Sequence, residues 1–236
     1  MLAATVELAS LQRGAKVAEL GCGFARYLPY LARDHGVRVA GADFSRESID
    51  HTRAALRTLG VDASEIVVDD LLSYCPRHAG EFDAVVSYGL IEHFLDLDGI
   101  LELHFRCARP GGRVLVCAPN LSGPNLSWAR RVAPELLTWH REIAAADVAA
   151  VFVALGAEDV HARSLGGPRL FAYPHDTGRP ASAVLAKTVR KLFNGFGEGL
   201  SRISERTATH LAGERLSSFF VVAGTKPALL NLSRPE

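Results

Sequence analysis

The chain has 236 residues, 48% of them hydrophobic and 22% charged, a composition that suits a water-exposed globular fold with one substantial core. Lys plus Arg balances Asp plus Glu at 26 each, so no overall field recommends nucleic acid or an anionic membrane as partner. The cysteines Cys22, Cys75, Cys107 and Cys117 are scattered without metal-type pairs and fit a reduced chain better than a disulfide framework.

The opening MLAATVELASLQRG has no basic leader and carries Glu7 within its apolar part, so it does not read as a signal peptide. No apolar run approaches the roughly 18 residues that span a bilayer. These features predict a cytoplasmic protein with no integral membrane segment, folded as a single domain over 1–236.

In chain order, VAELGCGFARYLPYLA (17–32) is a buried strand, a glycine turn and a helix. Phe24, Tyr27, Leu28, Leu31 and Ala32 share one face at 3.6-residue spacing. Gly21 and Gly23 lack Cβ, so backbone can approach a ligand, and free amides at a helix start favour a negative group. A second strand is predicted at 37–44, followed by a helix capped by Ser45 or Ser48 that runs to Gly60. Strands follow at 66–70 and 82–89; a helix over 96–109 ends at Pro110-Gly111-Gly112, and 113–119 is a fifth strand. This alternation predicts a parallel sheet covered on both faces, with ligands gathered at the strands' carboxyl ends.

Beyond residue 120 the polar, proline-bearing NLSGPNLSWARRVAPELLTWHRE leaves the sheet as loop and short helices, a substrate-side wall. A helix over about 144–155, a strand at 157–165 and a last strand at 219–226 complete the pattern. A helical insertion, 166–216, precedes that last strand.

A dinucleotide fingerprint would place its third glycine at Arg26, which weakens that reading. Asp43 closes the second strand where a carboxylate accepts hydrogen bonds from ribose hydroxyls. Glu19 is awkward beside a pyrophosphate but suits a ligand carrying an ammonium group, as S-adenosylmethionine (SAM) does. From about Lys16 to Asn120 the chain resembles the class I SAM-dependent methyltransferases. Glu19-Leu20-Gly21-Cys22-Gly23 is similar to their glycine loop, Asp43 to their ribose acid, and Asp69-Asp70-Leu71 to the acids that read adenine. Phe82-Asp83, Glu92-His93 and Pro110-Gly111-Gly112 resemble the later motifs. Ala25 stands where relatives often have a third glycine, and Ser87-Tyr88-Gly89-Leu90 replaces the Asn or Asp-Pro-Pro-Tyr of enzymes that methylate amino groups of bases or amides. The triplet Glu92-His93-Phe94 is also similar to one in fatty-acid cyclopropane synthases.

The resemblance implies a doubly wound, mostly parallel seven-stranded α/β sheet that binds SAM through Glu19, Gly21, Gly23, Asp43, Phe44, Asp70, Leu71 and Ser87. It implies methyl transfer to an oxygen or nitrogen of a small molecule, with no metal and no visible ligand cluster. His140, in the stretch TWHRE, and His93 are the candidate proton acceptors, each with a bland alternative: an exposed helix histidine and a wall residue. Tyr88, Trp128, Trp139, Arg169 and Tyr173 are candidates for the acceptor pocket, or plain loop anchors. The rival readings are a nicotinamide oxidoreductase and a SAM-binding protein without catalysis.

Within 166–216, Val184, Leu185, Val189, Leu192 and Phe193 give one helix an apolar face, and Leu200, Ile203, Thr207 and Leu211 give a second. Between them, Gly195, Gly197 and Gly199 are expected to act as a hinge, making the pair a lid over the site or the core of a homodimer. Residues 179–215 hold seven Lys or Arg against three Asp or Glu, which suits an acidic or lipid-like acceptor.

Overall fold

A computed structural model describes residues 2–122, 124–132, 134–166, 170, 188–199 and 216–228. Its strands are β1 (Lys16–Leu20), β2 (Arg38–Asp43), β3 (Ile66–Val68), β4 (Phe82–Tyr88), β5 (Ala108–Pro119), β6 (Glu158–Leu165) and β7 (Phe219–Thr225), in one sheet of order β3-β2-β1-β4-β5-β7-β6. The first five are parallel, and β7 runs antiparallel to both β5 and β6. The predicted seven-stranded, mostly parallel sheet is therefore the observed one.

Successive strand residues point to opposite faces, so β1 sends Val17 to one layer and Ala18 and Leu20 to the other. The Val17 layer is covered by α1 (Leu2–Leu8), α2 (Leu28–His35) and α3 (Arg46–Thr58), which bury Leu8, Leu28, Leu31, Ile49 and Leu56. The opposite layer is covered by α4 (Leu71–Arg77), α5 (Leu97–Cys107) and α7 (Ala145–Ala154), which follows α6 (Pro124–Val132). There Phe105 and Phe152 meet edge to face, ring centroids 4.8 Å apart. Among the described residues no helix is long and apolar enough to cross a membrane.

Three boundaries differ from the sequence expectation. The helix after the glycine loop begins at Leu28 rather than Phe24, because Gly21, Gly23 and Ala25 all hold positive φ (63°, 43° and 25°) and keep the chain in a turn. Pro29 then suits the helix start, where its missing N–H would lack a partner in any case. Second, β5 begins at Ala108 and absorbs Pro110-Gly111-Gly112. Gly111 N–H donates to the Lys226 carbonyl at 2.9 Å and Lys226 N–H to the Gly112 carbonyl at 2.8 Å. A Cβ on Gly112 would stand 2.8 Å from the Arg109 carbonyl oxygen, so no larger residue fits that bend. Third, residues 188–199 are continuously helical, so the glycines expected to form a hinge lie inside a helix. Asn194 anchors it by accepting from Leu170 N–H at 2.7 Å and donating to the Leu170 carbonyl at 3.1 Å. Of the remaining lid residues, Val184 and Leu185 and the second apolar face, Leu200, Ile203, Thr207 and Leu211, lie outside the described residues.

One buried contact makes the fold acid-sensitive. His104 is fully buried on α5; its Nδ1–H donates to the Ile100 carbonyl at 2.7 Å, which leaves Nε2 to accept from the Ser87 hydroxyl at 2.9 Å. Burial lowers its pKa to about 4. The folded state thus binds fewer protons than the unfolded chain between the free imidazole value near ~6.5 and about 4, so stability is full above that window and is lost as pH falls through it. The expected slope is about 1 kcal/mol per pH unit, and His104→Gln should flatten it in chemical denaturation from pH 7 to 4.

Candidate active site

The chain order reverses between β1 and β4, and a cleft of about 620 Å³ opens there at the strands' carboxyl ends. Its floor is the end of β1 and the glycine loop. Gly21 is held against Leu90, whose Cδ1 would lie 2.4 Å from a Cβ at that position. Ala25 adopts the left-handed backbone in which glycine is at home, a strain of about 1 kcal/mol, so the departure from the family's third glycine leaves the loop's path intact.

Glu19 stands at the floor with 3% exposure, and its Oε2 has no hydrogen-bond partner among the described residues. Burial, reinforced by the nearby Asp43 charge, raises its pKa well above the usual carboxylate range. Among the described residues no cation pairs with this carboxyl, and it lines the cleft. Asp43, at the end of β2, ties the loop together: Oδ2 accepts from Gly23 N–H at 2.9 Å and Oδ1 from Ser45 N–H at 2.8 Å. Each oxygen keeps a second lone pair for a ligand hydroxyl. Thr52 on α3 donates its hydroxyl to the Gly23 carbonyl at 2.9 Å, fixing the loop from below.

Asp69 and Asp70 line the next part of the cleft with Phe44 and Leu71. Asp69 has both oxygens engaged, one by Arg77 and the other by Asp70 N–H. Asp70 caps α4 through Oδ1, which accepts from Leu72 N–H at 2.9 Å, and keeps Oδ2 for a ligand. Phe44 is 86% exposed at the rim, an apolar face beside a polar cleft.

At the opposite end, β4 passes into the short turn Ile91–His93. Arg141 N–H donates to the Glu92 carbonyl at 2.8 Å, and the Arg141 guanidinium to the Phe94 carbonyl at 3.1 Å, which clamps the 139–141 segment onto that turn. His93 Nδ1 meets the Trp139 carbonyl at 3.2 Å. A carbonyl only accepts, so Nδ1 carries the proton and Nε2 presents its lone pair. The His93 and His140 rings lie 4.4 Å apart, and Glu92 joins them: one donor atom from each of the three falls within 4.8 Å of the others. The sequence showed no ligand cluster here because His140 reaches the other two only through the fold. Burial pushes the Glu92 carboxyl up to about 7.

The structure therefore brings Glu19, Gly21, Gly23, Asp43, Phe44, Asp70 and Leu71 to one cleft, with His93 and Tyr88 at its far end. Other expectations land elsewhere. Ser87 is fully buried with its hydroxyl committed to His104, and it is its neighbours Tyr88 and Gly89 that line the cleft. Tyr88 faces the α1 layer: its hydroxyl lies 2.6 Å from Thr5 Oγ1 and its ring 4.5 Å from that of Tyr27. Trp128 and Trp139 are not among the residues lining the cleft, and Trp139 meets His93 through its main chain while its side chain is exposed. Arg169 and Tyr173 lie outside the described residues. Tyr27, Leu90 and Phe94 also line the cleft; sequence reading named them only within a helix face and the stretches Ser87–Leu90 and Glu92–Phe94, and gave them no ligand role.

This strand order, glycine loop and sequence of acids are those that the resemblance to class I SAM-dependent methyltransferases implied. Residues 18–116 match the methyltransferase-domain family, from β1 to the middle of β5. The methyltransferase GfsG of Streptomyces halstedii is 30% identical over 112 residues, 47% of this chain and 40% of that protein. The ubiquinone biosynthesis O-methyltransferase of Escherichia coli is 28% identical over 119 residues, 50% of this chain and 48% of that one. The chain thus spans less than half the length of these curated relatives. A crystal structure of a SAM-dependent methyltransferase from Archaeoglobus fulgidus superposes with a TM-score of 0.63 at 15% identity, covering 95% of this chain and 91% of that one, a likeness of fold.

Proposed function

We propose that the chain transfers a methyl group from SAM to an oxygen or nitrogen of a small-molecule acceptor. The observation that carries this is Glu19, a buried carboxyl lining the cleft with no cation partner among the described residues, where the ammonium of SAM supplies one. Asp43 receives the ribose hydroxyls, Asp70 and the Leu71 amide the adenine edge, and Phe44 covers the base. When bound, SAM supplies an electrophilic methyl on a sulfonium, so most of the acceleration is positioning, worth about 7–11 kcal/mol. His93 stands at the end of the cleft away from Asp70 with His140 packed beside it, and the two take up the proton of an acceptor hydroxyl.

An oxygen acceptor is favoured by the ubiquinone O-methyltransferase among the relatives, and an acidic or lipid-like one by the basic surplus over 179–215. The nicotinamide reading suffers twice. Arg26 occupies the third-glycine position, and Glu19 would oppose a pyrophosphate. Incubation with SAM and a panel of phenols, hydroxy acids and amines should release S-adenosylhomocysteine (SAH) with at least one of them. Tight SAH binding with no transfer to any member would favour a SAM-sensing protein instead.

A further inference from the structure

The geometry points to a divalent metal site of the zinc class at Glu92, His93 and His140, at the acceptor end of the cleft. Four features support a built site. The donor set is two imidazoles and one carboxylate, the combination that zinc and its neighbours in the first transition row take, and one that leaves a coordination position open. Donor atoms around a tetrahedral zinc lie about 3.3–3.5 Å apart, so the three donors, now within 4.8 Å of one another, have to draw closer to hold the ion.

Glu92 is the second feature. It is 2% exposed, its Oε2 has no hydrogen-bond partner among the described residues, and no Lys or Arg forms an ion pair with it there. A bare carboxyl in that position is costly, and a cation removes the cost. Third, the Trp139 carbonyl fixes the His93 ring by its Nδ1–H, the arrangement in which outer hydrogen bonds orient metal-bound imidazoles, and it leaves Nε2 for the ion. Fourth, the two elements that carry the donors are held together by hydrogen bonds to main-chain carbonyls, Arg141 N–H to that of Glu92 and the Arg141 guanidinium to that of Phe94. None of these contacts needs the donors themselves, so the scaffold is independent of the ion.

His93 and Phe94 line the cleft, so an ion here keeps its open position toward the acceptor. A hydroxyl bound to it would lose its proton more readily, as zinc-bound water does. The site rests on the methyltransfer reading only for that consequence; ion binding itself does not.

The test uses the full chain after chelator treatment, titrated with Co²⁺ and followed by its visible absorption, with Zn²⁺ affinity taken from competition with a chromophoric chelator. One ion per chain is expected. His93→Ala and His140→Ala should each weaken binding at least about tenfold, while His51→Ala, on the surface of α3, should not change it. Sub-stoichiometric uptake, or uptake that neither His93→Ala nor His140→Ala alters, overturns the site and leaves the histidines as proton acceptors. SAH binding measured on the same samples checks folding and separates the two readings: ion uptake without SAH binding counts against the methyltransferase reading alone, and SAH binding without ion uptake against the metal site alone.

Discussion

Replacing His140 with alanine is expected to lower turnover on a hydroxyl acceptor by about 10²- to 10⁴-fold while SAH affinity stays unchanged. The separation follows from the layout of the cleft. His140 reaches it through His93, beside the turn after β4, whereas the contacts expected of the cofactor come from the ends of β1, β2 and β3. The loss is expected whether the imidazole takes the proton itself or holds an ion that weakens the acceptor's O–H bond. On the proposed reading His93 and His140 act as a unit, so the double variant should lose little more than the worse single one. Steady-state rates with a hydroxyl acceptor, alongside calorimetric SAH titration, check both halves. Unchanged turnover would make His140 a wall residue.

The second large effect is expected at Asp43. Its two carboxylate oxygens already accept from Gly23 and Ser45, so Asp43→Ala is expected to remove the proposed ribose contacts and to free the glycine loop together. Each lost charged hydrogen bond costs about 1.5–3 kcal/mol, which weakens SAH binding at least about tenfold. Asp43→Asn retains the shape and an oxygen acceptor but loses the charge and turns an amide N–H₂ toward one of the backbone donors, so it should fall between wild type and alanine. Equal SAH affinity in all three proteins would remove Asp43 from the site.

The five parallel strands were legible because each carries a short apolar run closed by glycine, proline or an acid, and a buried parallel strand needs little else. The cofactor end was legible for a related reason: backbone that approaches a ligand requires glycine at fixed places, and hydroxyls require a carboxylate at a strand's end. The acceptor end was not. Glu92, His93 and His140 converge only because Arg141 pins its segment to the turn after β4, and no local pattern announces such a contact. Ser87 and Tyr88 show a different limit. Neighbours on a strand face opposite sides, so one serves the α5 layer through His104 and the other the α1 layer through Thr5, yet periodicity does not say which side receives the ligand. The Gly195 to Gly199 stretch misled because glycine lowers helix propensity by only about 1 kcal/mol per residue, and the Asn194 contacts to Leu170 offset part of that.

The central claim, that Glu19 and Asp43 frame a SAM cleft, is tested most directly by isothermal calorimetry of the unmodified chain with SAH and, separately, with NAD. Saturable one-to-one SAH binding that weakens in Glu19→Gln, with no heat from NAD, is the expected result. Saturable NAD binding with no SAH binding would contradict the account.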